Sequence, residues 1–207
     1  LDIMAELVEE KPYGEEFGAR VFKITRDAKG NRLTHVKITG GSLKAREEIS
    51  DRAKTWSQKV NEIRIYSGEK YKAVQKAEDG MICALTGLTE TQAGEGLGKE
   101  IDGELPLLEP VLTYRIALPE EVAPAVMLPK LRMLEEEEPQ LHIVWDEKNQ
   151  EIQVQVMGDV QIEILQHEIK QRFGIDTAFD AGAIVYKETI KTTVHGAGHF
   201  EPLRHYA

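Results

Sequence analysis

The sequence carries one cysteine, Cys83, so no internal disulfide can form and packing alone must hold the fold. Cys83 stands in the apolar run Met81-Ile82-Cys83-Ala84-Leu85, the setting of a buried, inert thiol rather than a nucleophile. No apolar run approaches the roughly 20 residues that span a bilayer. The start, Leu1-Asp2-Ile3-Met4, lacks the basic and then apolar segments of a secretion signal. These absences predict a cytoplasmic protein with no membrane partner.

Catalytic patterns are missing too. A phosphate-cradling loop needs G-x-x-x-x-G-K-[ST], and no such string occurs. Gly40-Gly41-Ser42-Leu43-Lys44 has the wrong spacing, and Gly94, Gly96 and Gly98 lack the strand-turn-helix frame of a dinucleotide site. His195 and His199 are four apart, with His205 following, but Gly196 and Gly198 argue against the helix that would aim them at one zinc ion. Asp146 and Glu147 read with Asn149 as a hairpin turn, not as paired catalytic carboxylates. The expectation is a chain with no catalytic residue, no metal and no cofactor of its own.

What is present is a composition of ordinary globular character, 41% hydrophobic and 30% charged over 207 residues, enough for one large or two small domains. The net charge of −10 hides a strong polarity. Residues 17–76 hold 15 of the 26 Lys+Arg but 6 of the 36 Asp+Glu, a net of +9, which leaves −19 for the rest. Such a segment can attract phosphate, although a half-exposed sheet also scatters lysines on its solvent faces.

Residues 1–10 read as a short amphipathic helix, with Leu1, Met4, Leu7 and Val8 on one stripe and Lys11-Pro12 closing it. It has the look of the last helix of an upstream domain. From Phe17 to about Leu105 the pattern is short strands and Gly turns, which indicates a β-barrel. Pro106 and Pro110 mark a linker. Beyond it the expected order is strand 111–117, helix 122–135, strands 141–146 and 151–157, helix 159–173 and strand 175–180, with a further strand at 184–190. Read as β-α-β-β-α-β, this is the ferredoxin-like α+β arrangement. Pro129 predicts a kink or a later start of the first helix. The run Glu135–Glu138 reads as a solvated helix end that should fray, because its charges oppose the macrodipole.

The most specific segment is Glu151–Ile175. Ile152, Val154 and Val156 alternate, a Gly158-Asp159 turn follows, and Ile162, Leu165, Ile169 and Phe173 then recur at helical spacing. Asp159 is the expected N-cap and Gly174 the expected C-terminal glycine. This wording, with Tyr186-Lys187-Glu188-Thr189-Ile190, resembles the third domain of translational GTPases of the elongation factor G class. Phe17-Gly18-Ala19-Arg20-Val21-Phe22-Lys23-Ile24 resembles the "A-x-V-F-K-I" opening of the class's second domain. Arg32-Leu33-Thr34, Gly41-Ser42-Leu43-Lys44 and the segment Gly87–Leu97 resemble its later strands, and Gly196–Leu203 looks like the start of a fourth domain. Gln161 stands where the class usually has His, and Asp180–Val185 lacks the usual Pro and Gln. These departures, with the Phe200-Glu201-Pro202-Leu203 continuation, look closer to the tetracycline ribosomal-protection branch and related elongation-factor-G-like paralogues.

The resemblance implies a layout: 1–14 as the end of a GTPase domain, 15–105 as a barrel of the domain II type, 106–191 as a ferredoxin-like domain III, and 192–207 as the start of domain IV. It implies a monomer that docks a GTP-dependent translation factor, of translocation or tetracycline ribosomal protection, on the ribosome through small-subunit 16S rRNA and a small-subunit protein. It also implies a relay of nucleotide state, with GTP and Mg held by a GTPase domain elsewhere in the parent. Arg32, Lys44, Lys59 and Arg64 are the candidate rRNA phosphate contacts. The alternative is a stand-alone ferredoxin-like regulatory protein that binds a small molecule. It predicts a polar-lined pocket within 106–191.

Overall fold

The computed structural model describes residues 13–103, 110–180, 183–184, 191–193 and 196. The expected helix at 1–10, the linker at Pro106, most of strand 184–190, the Tyr186–Ile190 segment, His195, His199 and His205 lie outside the described residues.

Strand β1 (Gly18–Arg26) opens the first half and turns back as β2 (Arg32–Gly40). Residues 27–31 form the turn because Asp27 accepts from the backbone N–H of Lys29 and of Asn31, both at 2.9 Å, while Gly30 takes φ of 81°. Strands β3 (Ser42–Lys44), β4 (Glu48–Ser50), β5 (Ser57–Lys59), β6 (Glu62–Ser67), β7 (Lys70–Val74), β8 (Lys76–Glu78), β9 (Ile82–Thr86) and β10 (Gly96–Gly98) follow. Six of them form one antiparallel sheet in the order β10-β1-β2-β9-β6-β7; β3 pairs β8 and β4 pairs β5 as separate ribbons. No ladder among the described residues joins β7 to β10, so a closed barrel is not found. The inward residues of sheet and ribbons, among them Val21, Ile38, Leu43, Ile63, Leu85 and Leu97, share one core. Burying each such side chain stabilises by about 1.5–3 kcal/mol.

The second half runs β11 (Leu112–Ala117), α1 (Pro124–Glu137), β12 (His142–Asp146), β13 (Glu151–Val156), α2 (Asp159–Phe173) and β14 (Ala178–Phe179), with β15 (Ala183–Ile184). Its antiparallel sheet has the order β12-β13-β11-β14, and β15 also pairs with β11. Ile152, Val154 and Val156 are buried at every second position, and α1 and α2 cover them with Met127, Leu131, Leu134, Leu165 and Ile169. This core is separate from the first.

Three local expectations change. The N-cap of α2 is Gly158, and Asp159 is its first helical residue. The Asp159 carboxylate accepts a hydrogen bond from the Tyr114 hydroxyl instead of capping a backbone N–H. Helix α1 starts at Pro124, in the first-turn position that proline tolerates, and continues past Pro129 to Glu137. It reaches Glu137 because the carboxylates that should have frayed it are held by arginines, as described below. Gly174 does take the left-handed conformation, φ 69°, and its N–H donates to the Lys170 carbonyl at 3.0 Å.

Candidate nucleic-acid interface

Of the four candidate contacts, Lys44 and Lys59 are exposed at the ends of β3 and β5, and no described carboxylate lies within ion-pair distance of either. Their four-carbon stems leave the ammonium groups in water, available to a phosphate.

Arg32 and Arg64 are placed differently. The Arg32 side chain is 13% exposed. Its Nη1 donates to the Leu88 carbonyl at 3.0 Å and to Thr91 Oγ1 at 2.8 Å, and its Nη2 donates to the Thr91 carbonyl. The Arg64 side chain is 11% exposed, donates to Glu62 and to Asp27 Oδ2, and lies 4.3 Å from the centre of the Tyr71 ring. Burial alone would lower its pKa, but the acceptors Glu62, Tyr66 and Asp27 overcome this and raise it, so the guanidinium stays charged. Hydrogen bonds from the Asn31 side chain, resisted by burial and aided by Arg64, hold the Asp27 carboxyl well below the usual carboxylate range. Arg32 and Arg64 meet at one cleft of about 390 Å³, which Asn31, Asn61 and Thr89 also line. Lys59 lies two residues before Asn61; Lys44 lies outside this cleft.

A second arrangement had no signal in the sequence. The β1–β2 hairpin meets the C-terminal end of α1, and Glu136 Oε2 accepts from Arg26 Nη2 at 3.0 Å and Arg32 Nε at 3.1 Å. Glu137 accepts from Arg172 of α2 at 2.9 Å, with Arg26 Nη1 3.5 Å away in an ion pair without a hydrogen bond. Glu135 is bound by Arg132 and accepts the Ile143 backbone N–H at 2.9 Å. Three of the four consecutive glutamates are therefore spoken for, and the solvated-end reading holds for Glu138 alone. Arginine charge here also offsets the negative end of the helix dipole. Burial pushes Glu136 up, but the bonds and charges of Arg26 and Arg32 outweigh it and leave its pKa lowered.

Asp146 accepts from the backbone of Lys148 and Asn149 and from the Asn149 side chain, which makes it a turn residue. Gly96–Gly98 forms strand β10 rather than a phosphate loop. Burial pushes the Cys83 thiol up to about 12. Among the described residues no group of three or more His, Cys, Asp and Glu side chains could hold a metal ion, and no helix is long and apolar enough to cross a membrane.

A family model described as elongation factor G domain 2 matches residues 16–100, and one described as elongation factor G domain III matches residues 107–181. Elongation factor G 2 of Syntrophus aciditrophicus (strain SB) is 28% identical over 194 residues, covering 90% of this chain and 28% of that protein. Tetracycline resistance protein TetP of Clostridium perfringens is 32% identical over 174 residues, covering 83% of this chain and 26% of that protein. The chain thus spans between a quarter and a third of the length of these curated relatives. A crystal structure of a Thermus thermophilus protein superposes with a TM-score of 0.66 at 19% identity, over 80% of this chain and 26% of that one, a likeness of fold.

Proposed function

The chain belongs to the elongation factor G family and carries its second and third domains, and from that premise we propose that it docks a GTP-dependent translation factor on the ribosome. In this reading residues 15–105 act as a barrel of the domain II type and residues 106–191 as a ferredoxin-like domain III. The surface is small-subunit 16S rRNA, with a small-subunit protein beside domain III, and the protein is a cytoplasmic monomer. GTP and Mg belong to a GTPase domain outside these two, so these residues are not themselves the enzyme.

The observation that carries the reading is the charge separation. A segment of net +9 lies within a chain of net −10, with Lys44 and Lys59 exposed on it and unclaimed by any described carboxylate. Phosphate contacts of this kind release counterions and supply affinity without reading sequence. Lys44 and Lys59 contact phosphate directly. Arg32 and Arg64 contribute from the cleft they share with Asn31, Asn61 and Thr89. The proposal includes a relay of nucleotide state between the two domains, which the clamp on Glu136 supports because it ties the first domain's hairpin to a helix of the second.

Translocation and tetracycline ribosomal protection are the more specific roles within this reading, since elongation factor G 2 (28% over 194 residues) and TetP (32% over 174 residues) resemble the chain to a similar extent. The docking reading is tested by co-sedimentation with purified small ribosomal subunits. The chain is expected in the pellet at low salt and in the supernatant at high salt. A chain that never pellets with the subunits overturns it.

A further inference from the structure

Four rings cross the outer face of the six-stranded sheet in one row. Phe22 of β1 lies 6.0 Å from His35 of β2, His35 lies 6.2 Å from Tyr66 of β6, and Tyr66 lies 5.3 Å from Tyr71 of β7. Strand β9 runs between β2 and β6, but its residue there is Ala84, in register with both His35 and Arg64. A methyl group is short enough for His35 and Tyr66 to meet over it.

The two end rings are the open ones, Phe22 at 51% and Tyr71 at 48% exposure. The fold enforces this. Alternation from the buried Val21 points Phe22 outward, and a bulge between Val21 and Lys23 leaves Phe22 without a partner on β2 and keeps Lys23 outward beside it. A hydrogen bond of 2.7 Å between Thr25 Oγ1 and His35 Nε2 fixes the second ring, and the Arg64 guanidinium over Tyr71 fixes the fourth. Burial and the Lys23 charge lower the His35 pKa, so that ring is neutral at pH 7.

Charge completes the pattern. Lys23 and Lys37 border the Phe22 end on the same face, both exposed with no described carboxylate at ion-pair distance, and the Arg64 guanidinium lies over Tyr71 at the other end. Phe22 and Tyr71 each keep about half of their surface open to water at the two ends of this row. An RNA duplex would use the lysines and leave the rings idle, since its bases are stacked on one another. An acidic peptide would do the same. Unpaired bases use both, ring on ring, with phosphates on the ammonium groups.

We infer that this face binds single-stranded RNA, stacking unpaired bases on Phe22 and Tyr71 with their phosphates on Lys23 and Lys37. The inference rests on the docking reading above and adds base stacking to its phosphate contacts. The 207-residue chain is titrated with a fluorescein-labelled oligoadenylate of about 10 nucleotides, within the span one such platform covers. A duplex of the same length and label serves as the comparison. The single strand is expected to bind more tightly than the duplex. Phe22→Ala and Tyr71→Ala each weaken it about tenfold, and Phe22→Trp retains it. Circular dichroism checks that each variant is folded. Absent saturable binding, unchanged affinity in both alanine variants, or a duplex bound as tightly as the single strand would overturn the inference. The oligonucleotide series decides this point, whereas pelleting of the unaltered chain with small subunits decides the docking reading, so the two fail separately.

Discussion

Arg32 and Glu136 stand 104 positions apart in sequence and are joined by a hydrogen bond of 3.1 Å from Nε to Oε2. The same arginine spends its other nitrogens on Leu88 and Thr91 inside the first domain. One side chain therefore closes the loop after β9 and reaches across to helix α1. Arg26 joins it on the same carboxylate oxygen at 3.0 Å.

Replacing Glu136 with glutamine should loosen the contact between the two domains without unfolding either, since the two cores are separate. The Glu136 side chain is 42% exposed, so water screens the pair and the expected loss is only about 1–2 kcal/mol. Differential scanning calorimetry should show one merged transition separating into two. A single transition at unchanged temperature would contradict the coupling.

The same contact predicts a pH dependence. The folded pKa of Glu136 lies below its ordinary value of 4.5. Its contribution is therefore complete above that value and is lost as pH falls through the lowered one. Calorimetric coupling in the parent chain should hold from pH 7 to about 5 and fade below about 4.5. In Glu136→Gln the separation of transitions should not change across that range. Equal acid sensitivity in both proteins would assign the effect to other carboxylates.

The strand-turn-helix of residues 151–174 was legible because period-two and helical spacing adjoin there, and Gly174 marks the stop. The turn of Asp27–Asn31 was legible for the same kind of reason, since every bond that makes it is local. Arg32 was not. Its charge marks it as a phosphate candidate, and nothing near it in sequence signals its bonds to Leu88, Thr91 and Glu136, which are far along the chain. Glu135–Glu138 misled, because four consecutive acids carry no local sign that Arg26, Arg32 and Arg172 will meet them. The three-residue strands β3, β4, β5, β8 and β10 are too short for periodicity to declare. The bulge at Phe22, which leaves two successive outward residues, Phe22 and Lys23, has no local sign in the sequence.

Arg32→Lys tests whether the fork geometry matters. Lysine keeps the charge but cannot serve Thr91, Leu88 and Glu136 together. A loss of about 2–3 kcal/mol is expected by urea denaturation, because the buried acceptors are left unsatisfied. Wild-type stability would mean that the charge alone suffices.

Cys83 is buried and its thiol is pushed up to about 12, so little thiolate exists at neutral pH. Ellman's reagent should react with the native chain far more slowly than with chain unfolded in guanidinium. Rapid reaction of the folded protein would contradict the packing around β9.

The most direct test of the docking account is the salt dependence of binding to small ribosomal subunits, compared between the parent chain and a Lys44→Ala/Lys59→Ala variant. Affinity should fall steeply as salt rises, and the double variant should bind more weakly with a log–log slope shallower by about one unit per lysine removed. Equal affinity and equal slope in the two proteins would contradict the claim that this basic face meets phosphate.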